Sequence, residues 1–275
     1  MKKTLCVLLT ALLLALSVSP ALAEGDSVLV PDMYCVTPIE SGVSCDLNDD
    51  GTAETIQYEV SNDDQGTQIP FVRLAVGGQE VRIDGWFMDE QLYLLRMRDL
   101  TYLLVFDYGP SDDPETHFYY LDENGALKDA GSIYTAPMEM EVRDEIITGD
   151  VRGSLLYTWF HPADFTIARS LLPEGPSRRV APLPRSFYPM GLIVKAKCDI
   201  PLYAQPGSNE VSLTLKEGDT AILCGSDDVK WIYVTDESGL AGGWVAADGE
   251  YKTELIVNGQ SLSGADVFDG LLFAD

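Results

Sequence analysis

Asp46, Asn48 and Asp50 place oxygen-bearing side chains at alternate positions, and Glu54 follows four residues after Asp50. Calcium is a hard cation that takes six to eight oxygens, and a tightly turning loop with donors at alternate positions supplies them. The backbone carbonyl of Thr52 falls between the last two side chains, and Gly51 sits where a sharp turn tolerates little else. Helix-flanked calcium loops carry a bidentate Glu at position 12, where this chain has Gln57. The run 55–60 instead alternates apolar and polar residues, the pattern of a half-buried strand. With so few charged or carboxamide donors, a calcium site here would be weak, roughly 10⁻⁴–10⁻³ M. The plainer reading of the same residues is an acidic turn without metal.

This stretch resembles the calcium loop of FG-GAP/VCBS-type repeats, where D-x-[DN]-x-D-G-x-x-[DE] leads into a strand. The resemblance implies a bound Ca2+ held by Asp46, Asn48, Asp50, the Thr52 carbonyl and Glu54. It covers one loop and one strand.

Other reactive residues form no recognisable catalytic pattern. The two histidines are His117 and His161, and His161-Pro162 reads as a turn at a strand end. Ser154 follows Gly153, but there is no G-x-S-x-G elbow. No phosphate-binding or dinucleotide fingerprint is present. The expectation is therefore a protein that is not an enzyme. Carboxylates are too abundant for counting to exclude a two-carboxylate glycosidase.

The elements that would position these residues are strands. Residues 71–76 and 79–83 flank Gly77-Gly78 as a hairpin. Residues 91–98 and 102–108 are apolar enough for central strands, and 117–121 pairs with 127–130 across Asn124-Gly125, a type I′ dipeptide. Residues 155–160 and 165–168 complete the set, and 138–147 is ambiguous between helix and strand. The expected fold is all-β. An antiparallel β domain of sandwich or propeller-fragment type spans 24–170. A Pro-rich linker follows at 171–190, the only basic segment after the leader, then a small barrel at 191–250 and a hairpin appendix at 251–275 around Asn258-Gly259.

The expected barrel rests on five short strands separated by turns, at 192–198, 211–215, 220–224, 231–235 and 243–246. It resembles bacterial SH3-like (SH3b) domains. The motifs are Leu202-Tyr203-Ala204 before Pro206-Gly207, Leu215-Lys216-Glu217-Gly218-Asp219, Trp231-Ile232-Tyr233-Val234, and Gly243-Trp244-Val245. Cys198, Cys224 and the extra residue in Ala241-Gly242-Gly243 depart from the usual pattern. The resemblance implies a cell-wall peptidoglycan or peptide ligand, with Tyr203, Trp231, Tyr233 and Trp244 as candidate ligand-binding aromatics. The competing reading for each is core packing.

Composition sets the remaining bounds. Asp and Glu number 44 against 18 Lys and Arg, for a net charge of −26. That surface argues against nucleic-acid partners, which need a basic footprint. Met1-Lys2-Lys3, an apolar core over 5–18 and Ala21-Leu22-Ala23 read as a signal peptide of residues 1–23. Cleavage would leave a secreted, extracellular or cell-wall-associated chain with no stable membrane anchor. It would also leave Cys35, Cys45, Cys198 and Cys224, an even number that suggests disulfides, locally Cys35–Cys45 and Cys198–Cys224. The function expected from all of this is a secreted, non-catalytic binding protein of the bacterial cell envelope or surface. The alternative is a secreted cell-wall hydrolase or glycosidase with its active site in the β domain.

Overall fold

The computed structural model describes residues 28–62, 69–98, 100–110, 113–172 and 175–271. The expected signal peptide lies outside them. No helix among the described residues is long and apolar enough to cross a membrane.

After β1 (Val36–Ile39) the chain runs through three consecutive antiparallel meanders. The first comprises β2 (Val43–Cys45), β3 (Glu54–Ser61), β4 (Phe71–Val76) and β5 (Gln79–Asp84). The second comprises β6 (Leu92–Arg96), β7 (Thr101–Asp107), β8 (Glu115–Leu121) and β9 (Leu127–Ile133), with β1 added beside β6. The third comprises β10 (Glu141–Arg143), β11 (Ile146–Arg152), β12 (Phe160–Leu172) and β13 (Gly175–Leu183).

The second sheet is the middle layer. On β7, Leu103 and Val105 join a core shared with the first meander, around Ile56, Leu74 and Val76. Tyr102, Leu104 and Phe106 point the other way, into a core shared with Ile147 and Val180 of the third meander. A strand covered on both faces needs apolar side chains at successive positions, which is why 102–106 reads Tyr-Leu-Leu-Val-Phe rather than alternating. The outer strand β5 is buried at Ile83 alone.

Several local expectations are corrected. Asn124-Gly125 is not a type I′ turn, since of the two only Gly125 has a positive φ. Asp122 instead closes a longer loop, its carboxylate accepting from the N–H groups of Asn124 and Ala126. The ambiguous stretch is a 3₁₀ turn (Pro137–Glu139) followed by the β10–β11 hairpin. Residues 155–159 form a loop, not a strand. Part of the expected linker is strand β13, paired with β12 from Leu172↔Gly175 to Asp164↔Leu183. It lies at the end of its sheet, where Pro176 and Pro182 remove ladder donors at little cost.

The chain then enters a single sheet of nine strands: β14 (Tyr188–Ala196), β15 (Ile200–Tyr203), β16 (Val211–Leu215), β17 (Thr220–Ser226), β18 (Trp231–Asp236), β19 (Gly242–Ala247), β20 (Glu254–Val257), β21 (Gln260–Ser263) and β22 (Phe268–Asp269). The order is β16-β15-β19-β18-β17-β14-β22, with the β20–β21 hairpin attached to β19. This overturns the SH3-like barrel. Terminal strands β16 and β22 do not pair, so the sheet stays open, and four further strands, β15, β20, β21 and β22, join the five expected. The other sheets are open as well.

The residues beyond 250 belong to this sheet. Asn258 and Gly259 both adopt positive φ and turn the β20–β21 hairpin, as that dipeptide predicts. Val267 and Phe268 complete its core. So do Leu155, Leu156 and Trp159, delivered by the loop between β11 and β12. The meander stack and the C-terminal sheet therefore share a core through that loop.

Candidate functional site

The acidic residues converge on their own backbone rather than on a common centre. Asp46 Oδ1 accepts from the N–H of Asp50 at 3.2 Å and its Oδ2 from Gly51 at 2.8 Å. Asp50 Oδ1 accepts from Thr52 N–H at 2.7 Å, and Asn48 donates to Asp50 Oδ2 at 3.0 Å. Glu54 Oε2 accepts from Leu47 N–H at 3.1 Å. Leu47 is fully buried, and its carbonyl accepts from Thr101 N–H, which pins the turn onto β7. The N–H of Thr52, then the Asn48 side chain, hold the Asp50 carboxyl below its ordinary value. Among the described residues no group of three or more His, Cys, Asp or Glu side chains is placed to hold a metal. The FG-GAP/VCBS likeness is therefore corrected: the motif builds a self-capped connection from β2 to β3. Its oxygens answer the backbone donors of a turn, the commonest task of Asp and Asn in such places.

The expected disulfides are corrected too, because all four described cysteines are free. Cys45 is buried in the core between the first two sheets, while Cys35 is exposed ahead of β1. Burial, then the Asp46 charge, pushes the Cys45 thiol up to about 11, which makes it unreactive. Cys224 lies within 3.4 Å of Thr235 Oγ1.

The four aromatics singled out in the sequence lie on one face. Along β18 and β19 burial alternates: Ile232, Val234 and Val245 enter the core, while Trp231, Tyr233 and Trp244 are half-buried on the opposite face. Tyr233 lies opposite Trp244, and Trp244 opposite Tyr203 of β15. The Tyr233 and Trp244 rings are 5.2 Å apart, and Phe187 meets Trp244 edge-on at 6.2 Å. Gly243 allows this approach, since a Cβ there would lie 2.7 Å from the Tyr203 carbonyl. All four side chains are half-buried, in a strip across β15, β19 and β18.

Two arrangements escape the sequence reading. The first is the junction around His161, a buried β12 residue rather than a turn residue. Its ring lies between Trp159, at 4.8 Å, and Tyr188, at 4.1 Å. Its Nε2 lies 3.8 Å from Asp228 Oδ2, beyond hydrogen-bond length. Asp228 Oδ1 accepts from the N–H groups of Ser154 and Leu155, at 2.7 and 3.0 Å. Burial alone would raise the Asp228 pKa; His161 and these backbone donors outweigh it and lower the value. Ser154 Oγ donates to the Asp228 carbonyl at 2.8 Å and accepts from Lys252 Nζ at 3.0 Å. With its proton committed to a carbonyl, the serine is a clamp between the meander stack and the C-terminal sheet.

The second is the loop from Gly85 to Gln91. Asp107, buried at the end of β7, accepts from the N–H groups of Trp86 (2.8 Å), Phe87 (2.8 Å) and Gly109 (3.0 Å). Asn62 brackets Met88, donating to its carbonyl and accepting from its N–H. A fixed backbone thus holds Trp86 70% and Phe87 53% exposed. The signal available in sequence was two aromatics between a glycine and two acids, outside any alternating run.

No protein-family model, curated protein or solved structure matches this chain.

Proposed function

We propose that this protein is a non-catalytic binding protein working outside the cytoplasm at the bacterial cell envelope. Its binding surface is the strip formed by Tyr203, Tyr233, Trp244 and Trp231. The observation that carries this reading is the cross-strand seating of Tyr203, Trp244 and Tyr233 on one half-exposed face. Aromatic rings held in fixed geometry present large contact area at low entropic cost, and their faces stack on sugar rings or peptide side chains. Cell-wall peptidoglycan, which offers both, is the proposed partner. The signal-peptide pattern at residues 1–23 supports an exported chain.

Retention of the full chain on purified peptidoglycan tests the reading, with suspension turbidity followed in parallel. Retention that drops on Trp244→Ala or Tyr233→Ala, with no clearing, is expected. Unchanged retention in both variants would remove the strip from the function, and clearing of the suspension would make the protein a hydrolase.

A further inference from the structure

We propose that the cleft between β3 and the Gly85–Gln91 loop binds an organic ammonium group. The cleft holds about 530 Å³ and is lined by Tyr58, Val60, Ser61, Asn62, Phe87 and Glu90. Its aromatic walls extend through Tyr108, whose ring meets Phe87 edge-on at 5.7 Å. Behind them Asp89 accepts a hydrogen bond from Tyr93 Oη at 2.8 Å.

Aromatic faces carry negative quadrupole density and attract a cation lying within about 6 Å of the ring centroid. A carboxylate at the rim adds net charge that rings alone lack, and Glu90 occupies that place, exposed. Burial, then the charges of Glu40 and Asp89, raises the pKa of Tyr58, and burial with the charge of Asp89 raises that of Tyr108. The charge part of that effect, which disfavours a phenolate, favours a cation. None of the six lining residues is basic. An anion would meet the like charge of Glu90, and a neutral apolar ligand would gain nothing from it.

Preorganisation strengthens the case. Asp107 and Asn62 fix the loop before any ligand arrives, so binding orders little backbone. Gly85 makes that fixing possible, because a Cβ there would press on Met88 and come within 2.5 Å of Asp107 Oδ2. The chain's net charge of −26 steers cations toward it from a distance.

The ammonium could belong to a free small molecule or to a lysyl side chain of a peptide, and calorimetry on the full chain separates the two. The probes are choline, Nα-acetyl-lysine methylamide and the neutral carbon isostere of choline. One of the cations should bind, with the isostere weaker by about tenfold or more. Tighter choline marks a small-molecule site; tighter lysyl amide marks a peptide site. Glu90→Gln and Phe87→Ala, both at exposed side chains, should each weaken the cation several-fold while leaving the circular dichroism spectrum unchanged. The proposal is overturned if neither cation binds, if the isostere binds as well as choline, or if both variants keep full affinity. Wall retention uses residues on β15, β18 and β19, so the two readings fail separately.

Discussion

At the scale of single residues, the informative side chains are carboxylates that accept from backbone N–H groups. Asp107 does so three times from a buried position. Replacing it by Ala strands those donors, and urea denaturation should show a loss of about 1–3 kcal/mol. Wild-type stability in Asp107→Ala would mean that water replaces the carboxylate. Asp228 makes a pH-dependent contribution. Its folded pKa is lowered, so its stabilisation is complete above the unfolded value of about 3.9 and disappears as pH falls through the folded value. Asp228→Asn should therefore melt below the wild type at neutral pH, and the two melting curves should converge in acid. A gap that persists undiminished once pH has fallen below the folded value would assign the effect to shape rather than charge. Asp46 is a third case, since it answers two N–H groups of its own turn. Asp46→Ala should lose about 1–2 kcal/mol in chelator, where calcium has no part. Any further loss confined to millimolar calcium would reveal a metal contribution, and no loss in chelator would contradict the turn-capping account.

At the scale of elements, the loop of residues 153–159 determines how the molecule coheres. Leu156 and Tyr157 adopt φ of 66° and 51°, unusual for non-glycine residues. The strain is held by Gly153 N–H to the Trp159 carbonyl, Leu156 N–H to the Lys252 carbonyl, and the Trp159 indole to the Leu155 carbonyl. Trp159→Ala should cost about 3–5 kcal/mol and broaden or split a single thermal transition, because it opens a cavity where two regions share a core. A sharp transition with little loss would show that the regions are independent. This loop also marks the limit of what the sequence made legible. Leu-Leu-Tyr-Thr-Trp-Phe has strand composition, and no local rule says that it turns to plug another sheet. Strands with a clear period, such as β4 and β5 around Gly77-Gly78, were legible. The strand carrying Trp231 and Tyr233 was legible as well, and its alternation puts both on one face. Sheet closure was not legible, because five strands with SH3-like turns say nothing of further strands that keep a sheet open. The FG-GAP/VCBS likeness misled for another reason: the residues that ligate a cation are also those that cap a turn.

At the scale of the whole molecule, charge distinguishes the two proposed surfaces. With 44 acidic against 18 basic residues, self-repulsion acts on every part of the fold. Raising ionic strength from 0.01 to 0.15 M shortens the screening length from about 30 to about 8 Å and weakens that repulsion. The melting temperature should therefore rise over this range. A fall would mean that local ion pairs such as Arg185–Asp164 and Arg152–Asp113, both at 2.6 Å, outweigh the long-range term. The same titration should move the two binding reactions differently. The cleft beside Glu90 owes its affinity partly to the field of the molecule, so cation binding should weaken as salt rises. The strip of Tyr203, Tyr233 and Trp244 works by stacking and area, so wall retention should change little across the same range. Two surfaces on one acidic chain, one sensitive to screening and one not, would let it stay on a wall polymer through changes in ionic strength while its cationic ligand exchanges.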